Sequence, residues 1–344
     1  GKDQIRGWFN LLTIASVLAF RKPAFKTCYM HGFINDAYGR KMSKSLGNYI
    51  TPEEVLSRFG VDAWRFYAIT ATRAGDDLNY NFEDVKVKLK TLQVLWNLHK
   101  YLLDLVKNYD VDVKLVERDV KDLKLDVEEA FMLSKLHSTI EASTKFWNDY
   151  AIELAPRLVE DLILTLSRSY LQAVREKIAS GSKQERNAVF YVLYHSLINI
   201  LKLMAPVTPF ITEKIWQGLK QEFSTSKDLN LESVHLADWP VPNKALIDKQ
   251  LEAGFNIAEE VITACLALRE KLKLSVRWPL KKLFVTLKNE EDVKILKPFA
   301  NLVKSRVNVK DVEINFDAEL SVKQAENVEL FPQGIVILDT EPSP

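Results

Sequence analysis

Cysteine is nearly absent. Only Cys28 and Cys265 occur in 344 residues, which excludes a disulfide framework and a four-cysteine zinc site, and both thiols read as small buried hydrophobes. Histidine is almost as scarce. His99, His137 and His195 fall in helical stretches without ligand partners at useful spacing, so they read as structural, and no metal site is expected. No stretch approaches the roughly 20 uninterrupted apolar residues that cross a bilayer. Gly1-Lys2-Asp3-Gln4 also lacks the charged-then-apolar layout of a signal peptide, so the expected location is the cytosol, with no membrane partner. A surplus of one charge is missing too: the net charge is +1, which favours no particular partner and taken alone disfavours a nucleic-acid footprint. Internal repeats and low-complexity tracts are not found.

What is present is apolar bulk, 47% of the residues, enough for two or three domains that each bury a core. Charge is unevenly distributed. Residues 268 to 310 hold 12 lysines or arginines against 4 acidic residues; the plain reading of such a run is a solvated lysine-rich face.

The spacing predicts a helix over about Gln4 to Phe20, ended by Arg21-Lys22-Pro23. Lys26 to Ile34, short and rich in β-branched and aromatic residues before the turn-forming Asn35-Asp36 and Gly39, predicts a buried strand. Helix, strand and glycine-flanked polar loop together follow the grammar of an α/β nucleotide-binding layer. Thr51-Pro52-Glu53-Glu54 reads as a capped helix start, Gly60 as its end, and Asp62 as the cap of the next helix. From about Val85 to Gln217 helix dominates, interrupted at Lys107 to Lys124 and at Ala205-Pro206-Val207-Thr208-Pro209, and the region reads as a helix bundle. After Trp239-Pro240-Val241-Pro242 come a helix from about Lys249 to Lys271, a strand around Leu283, another helix and strand signals at Val307 to Val312. Asp339 to Pro344 reads as a frayed tail. The expected fold is mainly α with α/β parts.

One motif carries chemistry. Lys41-Met42-Ser43-Lys44-Ser45 lies between Gly39 and Gly47, and two lysines three apart in a serine-rich loop make a cationic clamp for a polyphosphate. A compact ammonium neutralises phosphate as a point charge, which is most of what a protein can offer a phosphorus centre under in-line attack. Ser43 and Ser45 add donors, and Asn48 can pin the loop backbone. A generic loop with two lysines would be a solvent-exposed turn, but chance appearance of this pentapeptide is on the order of one in ten thousand from average residue usage.

Set within Gly39-Arg40 and Leu46-Gly47-Asn48, the pentapeptide resembles the second signature of class I aminoacyl-tRNA synthetases. The resemblance implies an ATP site in which Lys44 is the principal contact, Lys41 assists, the backbone near Met42 approaches the adenine, and Ser43 completes the set. ATP with Mg2+ would be the substrate, and no zinc site is implied. Gly1-Lys2-Asp3-Gln4-Ile5-Arg6-Gly7-Trp8-Phe9 resembles the adenylate-pocket block of isoleucyl-tRNA synthetases; Gly1, Asp3 and Gln4 would touch the aminoacyl-adenylate, and Trp8 would wall the aliphatic side chain. Residues 203 to 240 resemble the anticodon-binding helices of the isoleucine, valine and leucine enzymes, and Arg269 through Leu280 their isoleucine-specific extension. Within the basic stretch, Arg269, Lys273, Arg277, Lys281 and Lys282 are the candidate tRNA contacts.

The implied organisation is the end of a Rossmann-like catalytic domain (1–50), a helical connector (51–84), an anticodon-binding helix bundle (85–242) and a small basic α/β domain (243–344). The implied partners are tRNA-Ile, isoleucine and ATP, with a monomer expected. The family's first signature, His-Ile-Gly-His, is absent, His31-Gly32 being wrongly placed for it, and so is the editing insertion. The expectation is therefore a distal portion of an isoleucine-tRNA ligase, inactive alone, because catalysis needs groups from both halves on one phosphate. The alternatives are a non-catalytic tRNA-binding module and a valine- or leucine-specific relative.

Overall fold

The computed structural model describes residues 1–223, 226–317 and 327–342. The fold is mainly α with α/β parts. Its longer helices are α1 (Trp8–Phe20), α2 (Pro52–Phe59), α3 (Val61–Thr70), α4 (Phe82–Asn108), α5 (Val127–Asn148), α6 (Leu154–Leu164), α7 (Lys183–Met204), α8 (Pro209–Glu222), α9 (Lys249–Lys271), α10 (Glu290–Leu296) and α11 (Ala300–Val307). The strands are β1 (Ile34–Asn35), β2 (Leu78–Asn79), β3 (Leu280–Leu287), β4 (Val309–Phe316), β5 (Val328–Phe331) and β6 (Gly334–Pro342). Two compact units form, one from Gly1–Arg118, Ser138–Ser167 and Leu193–Pro242, the other from Asp119–His137, Arg168–Val192 and Asn243–Pro344.

In the first unit, the expected strand over Lys26 to Ile34 is reduced to β1, paired in parallel with β2 over two residues. A β-branched run becomes a strand only where a partner takes its N–H and C=O groups, and β2 offers a partner of that length alone. Cys28 on this segment is exposed, against the expectation of burial. Helix α1 starts at Trp8 and stops at Arg21, whose backbone is left-handed at φ 53°.

Thr51 Oγ1 accepts from the Glu54 N–H at 3.1 Å and Pro52 takes the first helical position of α2. Glu54 does not reach back to Thr51; it pairs with Arg58 at 2.9 Å, so the capping box is half built. Asp62 also departs from expectation. It lies inside the first turn of α3, and its carboxylate accepts from the Phe210 and Ile211 N–H groups at 3.3 and 2.6 Å, capping α8 instead. A carboxylate there faces the positive end of the helix dipole. Arg65, one turn along α3, donates to the carbonyls of Pro206 and Val207 at 2.9 and 3.0 Å, so one helix holds the whole α7–α8 turn.

The core of this unit follows the three- and four-residue spacing of α4. Val85, Leu92, Leu95, Leu98, Leu102 and Leu105 are all at most 3% exposed, and truncating one such leucine to alanine costs about 2–5 kcal/mol. Glu160 of α6 closes against α4 by accepting from Lys88 and from Thr91 Oγ1, the latter at 3.0 Å. The Tyr67 hydroxyl donates to the Asn79 carbonyl at 3.2 Å and accepts from the Asn81 N–H at 3.1 Å, tying β2 to the start of α4.

In the second unit a four-stranded sheet has the order β4-β3-β6-β5. The parallel pair β3–β4 is connected through α10 and α11, whereas β6 is antiparallel to both β3 and β5. Alternation of buried Leu283, Val285 and Leu287 along β3 gives the sheet its core face. Helix α9, capped by Asp248 accepting from the Leu251 N–H at 2.9 Å, buries Phe255, Ala258, Val261, Ile262, Cys265 and Leu268. The Phe255 ring stacks on Phe131 at 3.7 Å between centroids. The expected frayed tail is instead strand β6, where Asp339 pairs with Lys282 in register; residues 343 and 344 lie outside the described residues.

Helix α7 is long and apolar enough to cross a bilayer, yet 78% of its most apolar window is buried inside the protein. That is the pattern of a core helix.

Candidate functional site

The lysine loop is built on an acidic turn. Asp36 and Gly39 stand at the first and last positions of a turn closed by the Gly39 N–H on the Asp36 carbonyl at 3.0 Å, with Gly39 at φ 77°. The Asp36 side chain turns back over it. Its Oδ1 accepts from the N–H groups of Tyr38 and Arg40 at 3.0 and 2.9 Å, and its Oδ2 from Arg40 Nε and Asn48 Nδ2 at 2.8 and 3.0 Å. The hydrogen bond from Asn48, then the donors of Arg40 and Tyr38, hold the Asp36 carboxyl well below the usual carboxylate range despite its burial.

Asn48 bridges the other side. Its Nδ2 also donates to the Lys41 carbonyl at 3.2 Å, and its Oδ1 accepts from the Ser43 N–H at 2.9 Å. Ser43 Oγ accepts from the Leu46 N–H at 3.3 Å, capping a short turn over Lys44–Leu46 that Gly47 ends in the left-handed region at φ 64°. The backbone of the pentapeptide is thus fixed by side chains outside it. Lys41 and Lys44 are exposed, and neither makes an ion pair among the described residues. Two cations on a braced, solvent-facing loop can close on an anion without any competing carboxylate to displace.

Beside this loop lies an apolar cleft of about 590 Å³, lined by Phe33, Met42, Tyr49, Val55, Trp64 and Tyr80 among others, with Lys41 at its edge. Desolvation pushes the Tyr80 phenol up to about 12.

Residues 1–9 sit against the β1–β2 pair. The Lys2 N–H donates to the His31 carbonyl at 3.0 Å, and Lys2 Nζ meets Asp77 at 2.6 Å, whose other role is to accept from the Phe33 N–H at 2.7 Å. Gln4 Nε2 donates to Asp3 at 2.7 Å, and Gln4 Oε1 accepts from the Trp8 N–H at 3.3 Å, starting α1. That bond from Gln4 lowers the Asp3 carboxyl. Gly1 is exposed, as is Trp8, with 64% of its surface open.

The basic stretch divides. Arg269 is 1% exposed, and its guanidinium donates to the carbonyls of Ser275, Trp278 and Asn308 at 3.0, 3.2 and 2.9 Å. These bonds fold the turn after α9 onto the start of β4, so this arginine serves the fold and has no surface to offer a nucleic acid. Lys282 bridges Glu313 and Asp311 at 2.6 and 3.3 Å, and those carboxylates raise its pKa. Lys273, Arg277 and Lys281 are exposed.

Three carboxylates elsewhere, Asp126, Glu128 and Glu129, lie close enough to hold a metal ion. Lys177 already stands among them, its ammonium 3.0, 3.0 and 2.7 Å from the three. That cluster is an internal ion-pair network.

Sequence reading found the lysines and Asn48 but treated Asp36 only as a turn former. The available signal was Asp at the first position and Gly at the fourth of a turn, a pattern that frees the Asp side chain to bind following N–H groups.

Comparison with known proteins follows the same segments. Residues 1–81 match the family model of tRNA synthetases class I (I, L, M and V), and residues 129–284 that of the anticodon-binding domain of tRNA ligase. The chain is 32% identical to an isoleucine–tRNA ligase of Methanocella arvoryzae over 96% of its own length and 30% of the relative's. Against the corresponding ligase of Pyrococcus furiosus it is 31% identical over 94% and 30%. The chain therefore spans about 30% of the length of the curated relatives it matches. Among solved structures, the ternary complex of Agrobacterium radiobacter K84 agnB2 LeuRS with tRNA and LeuAMS shares the fold, with a TM-score of 0.53 at 19% identity over 96% of this chain and 35% of that one. With its lysine loop inside one matched segment and most of its helix bundle inside the other, the chain belongs to the class I aminoacyl-tRNA synthetases.

Proposed function

We propose that the chain is the lysine-loop and tRNA-reading portion of an isoleucine–tRNA ligase. The observation that carries this is the pentapeptide Lys41-Met42-Ser43-Lys44-Ser45 braced by Asn48 and Asp36 with both ammonium groups open to solvent. In the reaction, the isoleucine carboxylate attacks the α-phosphorus of ATP, which arrives with Mg2+ as substrate. Pyrophosphate leaves, and the acyl group then passes from the adenylate to a tRNA hydroxyl, releasing AMP. Lys44 takes the phosphates and stabilises the charge that grows on the leaving pyrophosphate, Lys41 assists, and Ser43 donates beside them. The backbone at Met42 faces the adenine. Gly1, Asp3 and Gln4 hold the adenylate, and the open indole of Trp8 supplies a flat apolar wall for a branched side chain.

In this reading residues 1–50 close the catalytic domain, 51–84 connect it, 85–242 meet the anticodon arm, and 243–344 extend the basic surface, in a monomeric cytosolic enzyme. Of the five basic candidates, Lys273, Arg277 and Lys281 are the ones that reach tRNA; Arg269 and Lys282 are committed to the fold. Isoleucine is favoured over valine and leucine by the Asp3-Gln4-Ile5-Arg6-Gly7-Trp8 block and by the names of the relatives.

The test is isoleucine-dependent exchange between ATP and pyrophosphate, measured on this chain combined with the remainder of a ligase. Exchange with isoleucine, lowered in Lys44→Ala, is the expected result. Exchange with valine alone would overturn the amino-acid assignment, and an unaltered Lys44→Ala would overturn the role of that lysine.

A further inference from the structure

A second cleft of the first unit belongs to none of the residues assigned above. It measures about 600 Å³, within the range of small-ligand sites, and its lining includes Trp96, Gln93 and Asn97 of α4, Phe210 of α8, and Asp62 of α3. Trp96 stands between the two segments matched by family models, residues 1–81 and 129–284.

Its composition is specific. Phe210 leaves 65% of its surface open, so its ring is accessible at the cleft it lines. Trp96 is half-buried, so its ring is fixed by packing while one part still faces the cleft. Lys100, one turn along α4, places its ammonium 5.7 Å from the Trp96 ring centroid. Lys214, one turn beyond Phe210 on α8, is exposed, and neither lysine makes an ion pair among the described residues. Gln93 and Asn97 are exposed on the same stripe of α4, each able to donate and accept. The one acidic group, Asp62, is 8% exposed and has its oxygens on the Phe210 and Ile211 N–H groups, so it does not oppose an anion at the rim.

Two aromatic rings and two amides lining one cleft, with an exposed lysine one turn along each of the two helices, describe a site for a single unpaired nucleotide. Stacking tolerates any base, the amides meet its edge, and the lysines take the flanking phosphates. A protein partner would need a broader apolar face than this cleft presents, and a free mononucleotide would not engage lysines on both helices. We infer that this cleft receives one unstacked nucleotide of the bound tRNA, clamped between Trp96 and Phe210 with Lys100 and Lys214 on the adjoining phosphates. The inference rests on the tRNA-ligase reading and adds to it a contact that joins Trp96 and Lys100, outside the matched anticodon-binding segment, to Phe210 and Lys214 inside it.

The experiment uses this chain and an isoleucine-accepting tRNA transcript, with affinity measured by fluorescence anisotropy over a salt series. Trp96→Ala and Phe210→Ala are each expected to weaken binding roughly 5- to 150-fold, the range of one lost base–aromatic stack, while Trp96→Tyr keeps most of the affinity. The double variant K100E/K214E is expected to flatten the salt dependence by about one to two units of slope. Ultraviolet crosslinking of the wild-type complex should yield an adduct on the peptide holding Trp96 or Phe210. Phe210 is exposed, so Phe210→Ala folds even if Trp96→Ala does not, and melting curves report which. Wild-type binding with unchanged affinity in Phe210→Ala and crosslinks elsewhere would overturn the nucleotide site while leaving the ligase reading intact. Absence of tRNA binding by the wild-type chain would overturn both.

Discussion

The lysine loop and the basic stretch of residues 268 to 310 are both rich in positive charge, and they spend it in opposite ways. In the loop, a buried aspartate and an asparagine hold the backbone, and the two lysines keep their charge for something outside the protein. In the stretch, Arg269 is consumed by three carbonyls and Lys282 by two carboxylates, so a local surplus of 8 positive charges overstates what the surface presents. Charge density in a sequence counts cations. It does not count the acceptors that the fold brings to them.

Mutations can break this contrast. Arg269→Met should have the largest effect, costing about 3–5 kcal/mol in urea unfolding, because three carbonyls lose their donor in a buried place where methionine offers none. Lys44→Ala should leave the unfolding curve unmoved and lower isoleucine-dependent exchange in the reassembled ligase by roughly 100-fold, the scale of one lost electrostatic contact to a developing charge. If instead Lys44→Ala destabilised and Arg269→Met did not, the division of labour drawn here would be reversed. Asp36→Ala should sharpen the contrast from inside the loop: amide exchange at Arg40 to Ser43 should rise, with exchange activity falling less than in Lys44→Ala, because the cations remain but their backbone loosens.

A smaller effect tests a region outside both. Burial lowers the pKa of His99, with the neighbouring Lys100 adding to it, and burial lowers that of His137 as well. The unfolded chain therefore binds protons that the folded one refuses. Stability held above an unfolded value of 6.5 should fall as the pH drops below it, by at most about 1.4 kcal/mol per pH unit for each histidine. Asp62 and Glu129, raised by burial, act in the opposite sense above their ordinary values of 3.8 and 4.5. The difference between wild type and His99→Leu in urea unfolding at pH 7 and pH 5.5 isolates one histidine; equal slopes would show that His99 does not carry it. Lys282→Ala should do least, with no measurable change in tRNA affinity.

Legibility in the sequence followed the range of each interaction. Helix α9 was predicted at Lys249 to Lys271, and its cap, apolar face and last turn all lie within its own residues. Thr51 and Gly60 were equally local. Asp62 was read as a cap and is one, but of a helix almost 150 residues further on, which no local rule can see. The strand expected at Lys26 to Ile34 depended on partners, and β6 was missed because its last residues look like a polar tail until β3 lies beside them. Arg269 was misplaced for the same reason. Its acceptors stand on two separate segments, the turn after α9 and the start of β4, and only the fold brings the second to it. At the candidate site, Lys41, Lys44 and Asn48 were legible from one motif, whereas the weight borne by Asp36 was not.

Because Asn48 and Asp36 already fix the lysine loop at both ends, the entropy of capturing an anion there is small. A polyphosphate arriving at Lys41 and Lys44 would have to freeze two side chains, at up to about 2 kcal/mol each, and would be spared the 1–2 kcal/mol per residue of ordering a five-residue backbone. A loop so held regains no backbone freedom on release, so the cost it is spared stays as affinity. Order settled before the ligand arrives is thus a property of the Asp36–Asn48 brace, and the lysines inherit it.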